Sequence, residues 1–166
     1  DGGTALTRLA HPTGSIESLK PGRDEESFFL NVLPKPRVLV VGSGGGREVL
    51  LALRSGALGV TAVEINPSIN EIVSEQMADF TGHLYENPRV RFFTDEAMHF
   101  INRTTEKFDV IHCPHTISNA AMASGSLSLA ENYLLTIEAF EAYLDRLDTN
   151  GILLITRPEA HLPRLF

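Results

Sequence analysis

The stretch Val38–Leu53, VLVVGSGGGREVLLAL, decides the fold of this 166-residue chain. Four apolar, strand-forming residues run into a loop of four glycines and one serine, and an apolar helical pattern begins directly after it. Glycine loses more conformational entropy on folding than any other residue and contributes no side chain to packing. The glycine loop therefore indicates a tight turn whose bare backbone lets a ligand approach closely.

Strand and helix patterns alternate from this stretch to the end of the chain. Strands are predicted at Arg37–Val41, Gly59–Ile65, Val90–Thr94, Phe108–Cys113 and Ile152–Thr156, with a helix between each strand and the next. This alternation predicts the α/β class, with a doubly wound, mostly parallel sheet and helices on both faces. Residues 37–166 are predicted to form this ligand-binding domain, and residues 1–36 to add loops, a strand and a short helix.

Local signals set the expected ends and faces of the helices. Asn66 and Asp95 are predicted N-caps, and Pro67 suits the first position of a helix. Apolar residues at helical spacing predict two core-facing stripes, which are Ile69, Ile72, Val73, Met77 and Phe80 in one helix and Ile137, Phe140, Leu144 and Leu147 in another.

Composition limits the partners and the compartment. The 43% of apolar and 21% of charged residues are typical of a globular domain, and the net charge of −7 argues against nucleic acid as a partner. A single cysteine, Cys113, excludes an internal disulfide and favours the cytoplasm. The chain begins at Asp1 and stops soon after the fifth predicted strand. We therefore expect a piece of a longer protein, with the sheet truncated at its far edge or completed by a partner.

Carboxylates at the ends of the second and third strands indicate the class of ligand. Glu64 follows Gly42 at about the 20-residue spacing at which a carboxylate accepts hydrogen bonds from a ribose diol. Asp95 and Glu96 end the third strand, where they either accept from an adenine amino group or only cap a helix. Arg47 stands where the dinucleotide fingerprint requires its third glycine, which argues against an NAD-dependent oxidoreductase. These features favour an adenosine that carries no phosphates.

Five blocks together resemble the class I S-adenosylmethionine-dependent methyltransferase fold, and more closely its spermidine synthase (polyamine aminopropyltransferase) branch. These blocks are RVLVVGSGGGREVL, VTAVEINPSI, NPRVRFFTDEAMHFI, KFDVI and ENYLLTIEAFEAYLDRL. The resemblance implies S-adenosylmethionine or its decarboxylated form as the cofactor, without a metal. It implies that the loop approaches the methionine or aminopropyl part, Glu64 the ribose and the turn at Asp95 the adenine. The cofactor-binding residues so predicted are Gly42, Ser43, Gly44, Gly45, Gly46, Glu64, Ile65, Asp95, Glu96 and Ala97.

The chain departs from this family after the fourth strand. Spermidine synthases carry an Asp-containing segment there, whose first Asp binds the amine and accepts its proton. Alignment on FDVI places Pro114 at that position and Ile117 at the second Asp, and neither side chain can accept a proton. The rewritten segment resembles bacterial spermidine-synthase-like domains that are often attached to an integral membrane portion.

The motif HCPH, residues 112–115, offers the candidates for chemistry. A zinc site takes four ligands, usually from separate elements, so we interpret Cys113 as a core residue and predict no metal. His115, just past the strand, is the candidate general base, because imidazole titrates near neutrality. Glu131, Asn132 and Tyr133 either line an acceptor pocket or cap and pack the last helix.

Two function classes remain open from the sequence. The first is a transferase that moves a methyl or aminopropyl group to a small-molecule acceptor such as an amine. The second is a non-catalytic adenosyl-binding domain of a larger, membrane-attached protein. A homodimer is expected by resemblance.

Overall fold

The computed structural model describes residues 32–114 and 133–156, which form a five-stranded sheet flanked by helices. The strands are β1 (Arg37–Val41), β2 (Gly59–Glu64), β3 (Val90–Thr94), β4 (Phe108–Cys113) and β5 (Leu147–Ile155). The α-helices are α1 (Arg47–Arg54), α2 (Pro67–Glu71), α3 (Ala78–Thr81), α4 (Ala97–Arg103) and α5 (Ile137–Arg146). A π-helical turn, Ile72–Gln76, joins α2 to α3, and a 3-10 turn, Leu84–Glu86, precedes β3.

All neighbouring strands pair in parallel, in the order β3-β2-β1-β4-β5. The chain builds outward from β1 to β3 and then returns to the other side of β1 to add β4 and β5. The order of the strands therefore reverses between β1 and β4, which is where ligands bind in open parallel sheets. The glycine loop follows β1 and lies at this switch point. The doubly wound α/β prediction is confirmed.

Alternate residues of the central strands feed two separate cores, one on each face of the sheet. Val38 and Val40 of β1 pack with α1 and the segment between β2 and β3, whereas Leu39 and Val41 pack with α4 and α5. Because both faces are covered, the strands read as continuous apolar runs. This burial fixes the position of the carboxyl end of β1.

The fifth strand begins earlier than the sequence pattern predicts. Phe108 pairs with Leu147, but Val110 pairs with Ile152, so the ladder is irregular between these two pairs. Asn150 and Gly151, which precede the predicted strand, lie within this irregularity, and the strand continues through them. An irregularity of this kind leaves extra residues in one strand without ending the sheet.

The first predicted core stripe is only partly right. Val73 is fully buried and Ile69 packs against the core, but Met77 and Phe80 are each 38% exposed. The π-helical turn inserts an extra residue per turn, so later side chains rotate away from the face that a regular helix would bury.

The second stripe is wrong for three of its four members. Ile137 is 76% exposed and Leu144 is 60% exposed, and Phe140 is also exposed. The helix α5 instead buries Ala139 and Tyr143, which are one turn apart on its other face. The fourth member, Leu147, packs against the core as predicted.

Candidate functional site

The glycine loop after β1 adopts a conformation that requires glycine. Gly42, Gly44 and Gly46 have φ angles of 74°, 48° and 88°. Residues with a Cβ atom rarely adopt such φ angles, so these three positions account for most of the glycine cluster. Gly46 is the N-cap of α1, and its carbonyl accepts the first hydrogen bond of that helix from the N–H of Leu50.

Ser43 is the one loop residue that carries a side chain, and it is only 1% exposed. The N–H groups of Gly42 and Ser43 both donate to the carbonyl of Val63 on β2, at 2.8 and 3.0 Å. The carbonyl of Ser43 accepts from the N–H of Gly46 at 2.9 Å. These bonds hold the loop against the carboxyl end of β2.

The side chain of Glu64, the last residue of β2, is buried beside the glycine loop. Its Oε2 accepts a hydrogen bond from the N–H of Gly44 at 3.0 Å, and its Oε1 accepts one from the N–H of Asn66 at 2.9 Å. Glu64 is 7% exposed. An ionised carboxylate offers about four lone-pair sites, so these two backbone donors leave it able to accept further hydrogen bonds.

Two residues after Glu64 shape the rim of this region. Ile65 is exposed despite its apolar side chain. Asn66 caps α2 as predicted, because its Oδ1 accepts from the N–H of Ser68 at 3.0 Å while Pro67 occupies the first position of the helix. The structure therefore places an exposed apolar side chain and the capped start of a helix directly after Glu64 in the chain.

The turn after β3 lies directly beside Glu64. Thr94 pairs with Glu64 in the sheet, and the N–H of Asp95 donates to the Glu64 carbonyl at 3.1 Å. Glu64, Asp95, Glu96 and Ala97 are therefore brought to one edge of the sheet, together with the glycine loop.

The carboxylate of Asp95 is mostly engaged within the chain. It accepts hydrogen bonds from the N–H of Glu96 at 2.9 Å, His99 Nδ1 at 2.7 Å and Arg103 at 3.0 Å. The hydrogen bond with His99 is the main reason that the pKa of Asp95 is lowered. The regular spacing of Asp95, His99 and Arg103 is the signal that could have revealed this network, since residues four apart share one helix face.

The predicted cap at Asp95 is wrong, because the N-cap of α4 is the next residue. Glu96 accepts hydrogen bonds from the N–H groups of Met98 and His99 at 3.0 and 2.8 Å. A carboxylate at an N-cap satisfies amides that the helix leaves without partners. Asp95 instead fixes the turn through its own side chain, and Glu96 lies exposed at its rim.

The end of β4 carries no acid. His112, Cys113 and Pro114 are all buried, and Cys113 packs in the core as predicted. His115, Glu131 and Asn132 lie outside the described residues, whereas Tyr133 lies within them and is exposed. Within residues 32–114 and 133–156, no three side chains cluster in a way that could hold a metal ion.

The sequence reasoning also missed Tyr85, from the 3-10 turn before β3. Its hydroxyl lies 2.9 Å from Ser43 Oγ, and the two residues are 42 positions apart in the chain. Burial raises the pKa of Tyr85 to about 12. A contact between residues so far apart leaves no periodic signal in the sequence.

Some known proteins are similar to this chain in sequence. No family model matches the chain. It is 35% identical over 78 residues to polyamine aminopropyltransferases of Serratia proteamaculans (strain 568) and Yersinia pestis (strain Pestoides F), which covers 45% of this chain and 26% of theirs. The chain thus spans about a quarter of the length of these curated relatives.

Solved structures of other proteins share this fold. A spermidine synthase from Thermotoga maritima matches 75% of this chain and 38% of its own at 20% identity, with a TM-score of 0.55. A putative methyltransferase from Escherichia coli matches 80% of this chain and 68% of its own at 16% identity, with a TM-score of 0.56. The fold is therefore the one that a spermidine synthase and a putative methyltransferase share, as the sequence predicts. Among the residues described, no helix has the length and apolarity needed to cross a membrane.

Proposed function

We propose that the region around the glycine loop binds the adenosyl group of S-adenosylmethionine or of its decarboxylated form. Gly42–Gly46 would contact the chain attached to the sulfur, Glu64 the ribose hydroxyls, and Asp95–Ala97 the adenine. The observation that carries this proposal is the Glu64 carboxylate, which is buried beside the glycine loop and held by two backbone N–H groups. Its remaining acceptor sites suit a ribose diol.

We further propose that the chain belongs to a transferase that moves a methyl or aminopropyl group. The relatives are named polyamine aminopropyltransferases, and the structural neighbours include a spermidine synthase and methyltransferases. The sulfonium of either ligand supplies a carbon that is already activated for transfer. The protein would then act mainly by binding and orienting the two reactants, which is a large part of the catalysis of many bimolecular reactions.

The residue that follows β4 limits which acceptors the protein could use. Pro114 is buried and has no group that titrates, so it cannot take a proton from an ammonium. An amine acceptor would need another base, for which His115 is the candidate. An acceptor that is already neutral or anionic would need none.

A second candidate function is a non-catalytic adenosyl-binding domain. Pro114 favours it, because the site would keep its ligand-binding residues. It would lack the aspartate that binds the amine and accepts its proton in the family that the chain resembles. The two candidates share one ligand and differ in turnover.

Isothermal titration calorimetry with S-adenosylmethionine, decarboxylated S-adenosylmethionine and NAD tests the shared part of the proposal. We expect one of the two sulfonium ligands to bind and NAD not to bind, and binding of NAD alone would refute the assignment. A turnover assay with the ligand that binds and a panel of amines then separates enzyme from binding domain. If transfer occurs, the variant His115→Ala should slow it only for acceptors that must lose a proton.

A further inference from the structure

The glycine loop is held from two sides by side chains that come from different parts of the chain. On one side, Glu64 accepts from the N–H of Gly44. On the other, the hydroxyl of Tyr85 is in hydrogen-bonding distance of Ser43 Oγ, at 2.9 Å. The two anchored loop residues are adjacent, so the peptide between them is constrained at both ends.

The Tyr85 side chain is itself rigidly held. It is 6% exposed, and its ring stacks on Phe92 of β3 with 4.8 Å between ring centroids and 20° between planes. The ring is therefore held by the core and by Phe92 of β3, through contacts that do not involve its hydroxyl. A rigid donor or acceptor at this place can transmit the position of β3 to the loop after β1.

We propose that Tyr85 is a positioning residue that fixes the glycine loop, through Ser43, in the conformation that binds the ligand. This inference rests on the proposed function for its effect on affinity, but its effect on the loop does not. A buried tyrosine hydroxyl usually finds a partner, and here that partner lies within the loop itself. Fixing the loop in the free protein would lower the entropy that ligand binding must remove.

The test compares two identical chemical changes on opposite faces of the sheet. The variant Tyr85→Phe removes the hydroxyl and keeps the ring that stacks on Phe92. The matched control is Tyr143→Phe, because Tyr143 in α5 is also buried and its hydroxyl donates to the Leu134 carbonyl at 3.1 Å. Both variants lose one hydrogen bond of a tyrosine hydroxyl, but only the first loses a bond to the loop.

Amide hydrogen exchange of the ligand-free protein gives the first readout. The N–H groups of Ser43, Gly44 and Gly46 are hydrogen-bonded within the protein and should exchange slowly. We expect them to exchange faster in Tyr85→Phe and at the wild-type rate in Tyr143→Phe. Unchanged loop exchange in Tyr85→Phe, or an equal change in both variants, would overturn the inference.

Calorimetry with S-adenosylmethionine and its decarboxylated form gives the second readout. The Kd of the ligand that binds should rise about two- to tenfold in Tyr85→Phe, as expected for one hydrogen bond. Ser43→Ala should give a similar rise, and the double variant should be no weaker than either single one, because both changes break the same bond. Fully additive losses would contradict the shared bond. If the wild type binds neither ligand, the proposed function fails, and the exchange experiment still decides the role of Tyr85.

Discussion

The two ends of the parallel sheet hold their carboxylates in different ways. At the amino-terminal end, Asp109 on β4 is paired with the guanidinium of Arg37 at 3.1 Å, and Arg37 also contacts Asp148 at 2.7 Å. At the carboxyl end, Glu64 receives hydrogen bonds from two backbone N–H groups and is more deeply buried than either aspartate.

This difference separates a structural site from one with capacity to bind. The carboxylate of Asp109 accepts three hydrogen bonds from Arg37, one from its N–H and two from its guanidinium, so most of its acceptor sites are filled. Glu64 accepts two and keeps sites open beside a loop of bare backbone. Of these two carboxylates, the one at the carboxyl end of the sheet keeps acceptor sites for further hydrogen bonds. This agrees with the usual place of ligands in such sheets.

Replacing the two carboxylates should give the largest contrast. We expect Glu64→Ala to raise the Kd of the sulfonium ligand by about 100-fold or more, since each hydrogen bond to a charged group contributes about 1.5–3 kcal/mol. Asp109→Ala should leave the Kd within about twofold and lower the free energy of unfolding by about 1 kcal/mol, as for exposed ion pairs. Calorimetry and urea denaturation of both variants check this. Similar Kd values for the two variants would show that Glu64 has no special role in ligand binding.

Two glycines that both have a positive φ angle allow a second comparison. Gly44 lies in the loop with φ of 48°, and Gly56 follows α1 with φ of 85°, where an added Cβ would meet no atom within 4 Å. Gly44→Ala and Gly56→Ala should each lower the free energy of unfolding by about 1–2 kcal/mol because of the left-handed backbone. Only Gly44→Ala should also weaken ligand binding, by about tenfold. If Gly56→Ala weakens binding as much, the loop has no special role.

The pH dependence of stability should report the amino-terminal ion pairs. The hydrogen bond from Arg37 lowers the pKa of Asp109, and the one from Arg91 lowers the pKa of Glu106. A carboxylate whose folded pKa is lowered stabilises the protein above its unfolded pKa, near 4, and this contribution disappears as the pH falls through the lower folded value. Arg37→Gln should therefore flatten the loss of stability below about pH 4, as followed by urea denaturation. If the free energy of unfolding falls as steeply below about pH 4 in Arg37→Gln as in the wild type, this prediction is wrong.

A smaller effect of the opposite sign is expected from His83. Its hydrogen bond with Glu86 is the main cause of its raised pKa, and it also contacts Asp79. The contribution is present below the unfolded pKa of about 6.5 and is lost as the pH rises through the folded value. Relative to the wild type, His83→Gln should thus be slightly less stable at pH 5.5 and equally stable at pH 9. Equal melting temperatures of the two proteins at pH 5.5 would contradict the role of this pair.

The sequence predicts the fold well because its signals are local. Strands buried on both faces read as apolar runs, and only a tight turn needs a cluster such as Gly42–Gly46. The helix faces are harder to predict, because α5 has two apolar stripes and only packing decides that Tyr143 and Ala139 face the core.

The places of the candidate residues in the fold follow from the sequence, but their contacts follow less well. Glu64 and Asp95 lie at the strand ends that the pattern indicates, because parallel strands bring their carboxyl ends to one edge. The engagement of Asp95 by His99 and Arg103 depends on side-chain conformations that spacing alone does not fix. The contact between Tyr85 and Ser43 depends on how the chain folds back over 42 residues.

The most direct test of the role of Glu64 is a calorimetric double-mutant cycle between protein and ligand. S-adenosylmethionine and an analogue without the ribose 2′-hydroxyl are titrated into the wild type and into Glu64→Ala. We predict that loss of the hydroxyl raises the Kd of the wild type by about tenfold and that of Glu64→Ala by less than about twofold, because the acceptor of the same hydrogen bond is already missing. An equal rise in both proteins would show that Glu64 does not hold the ribose and would contradict the account.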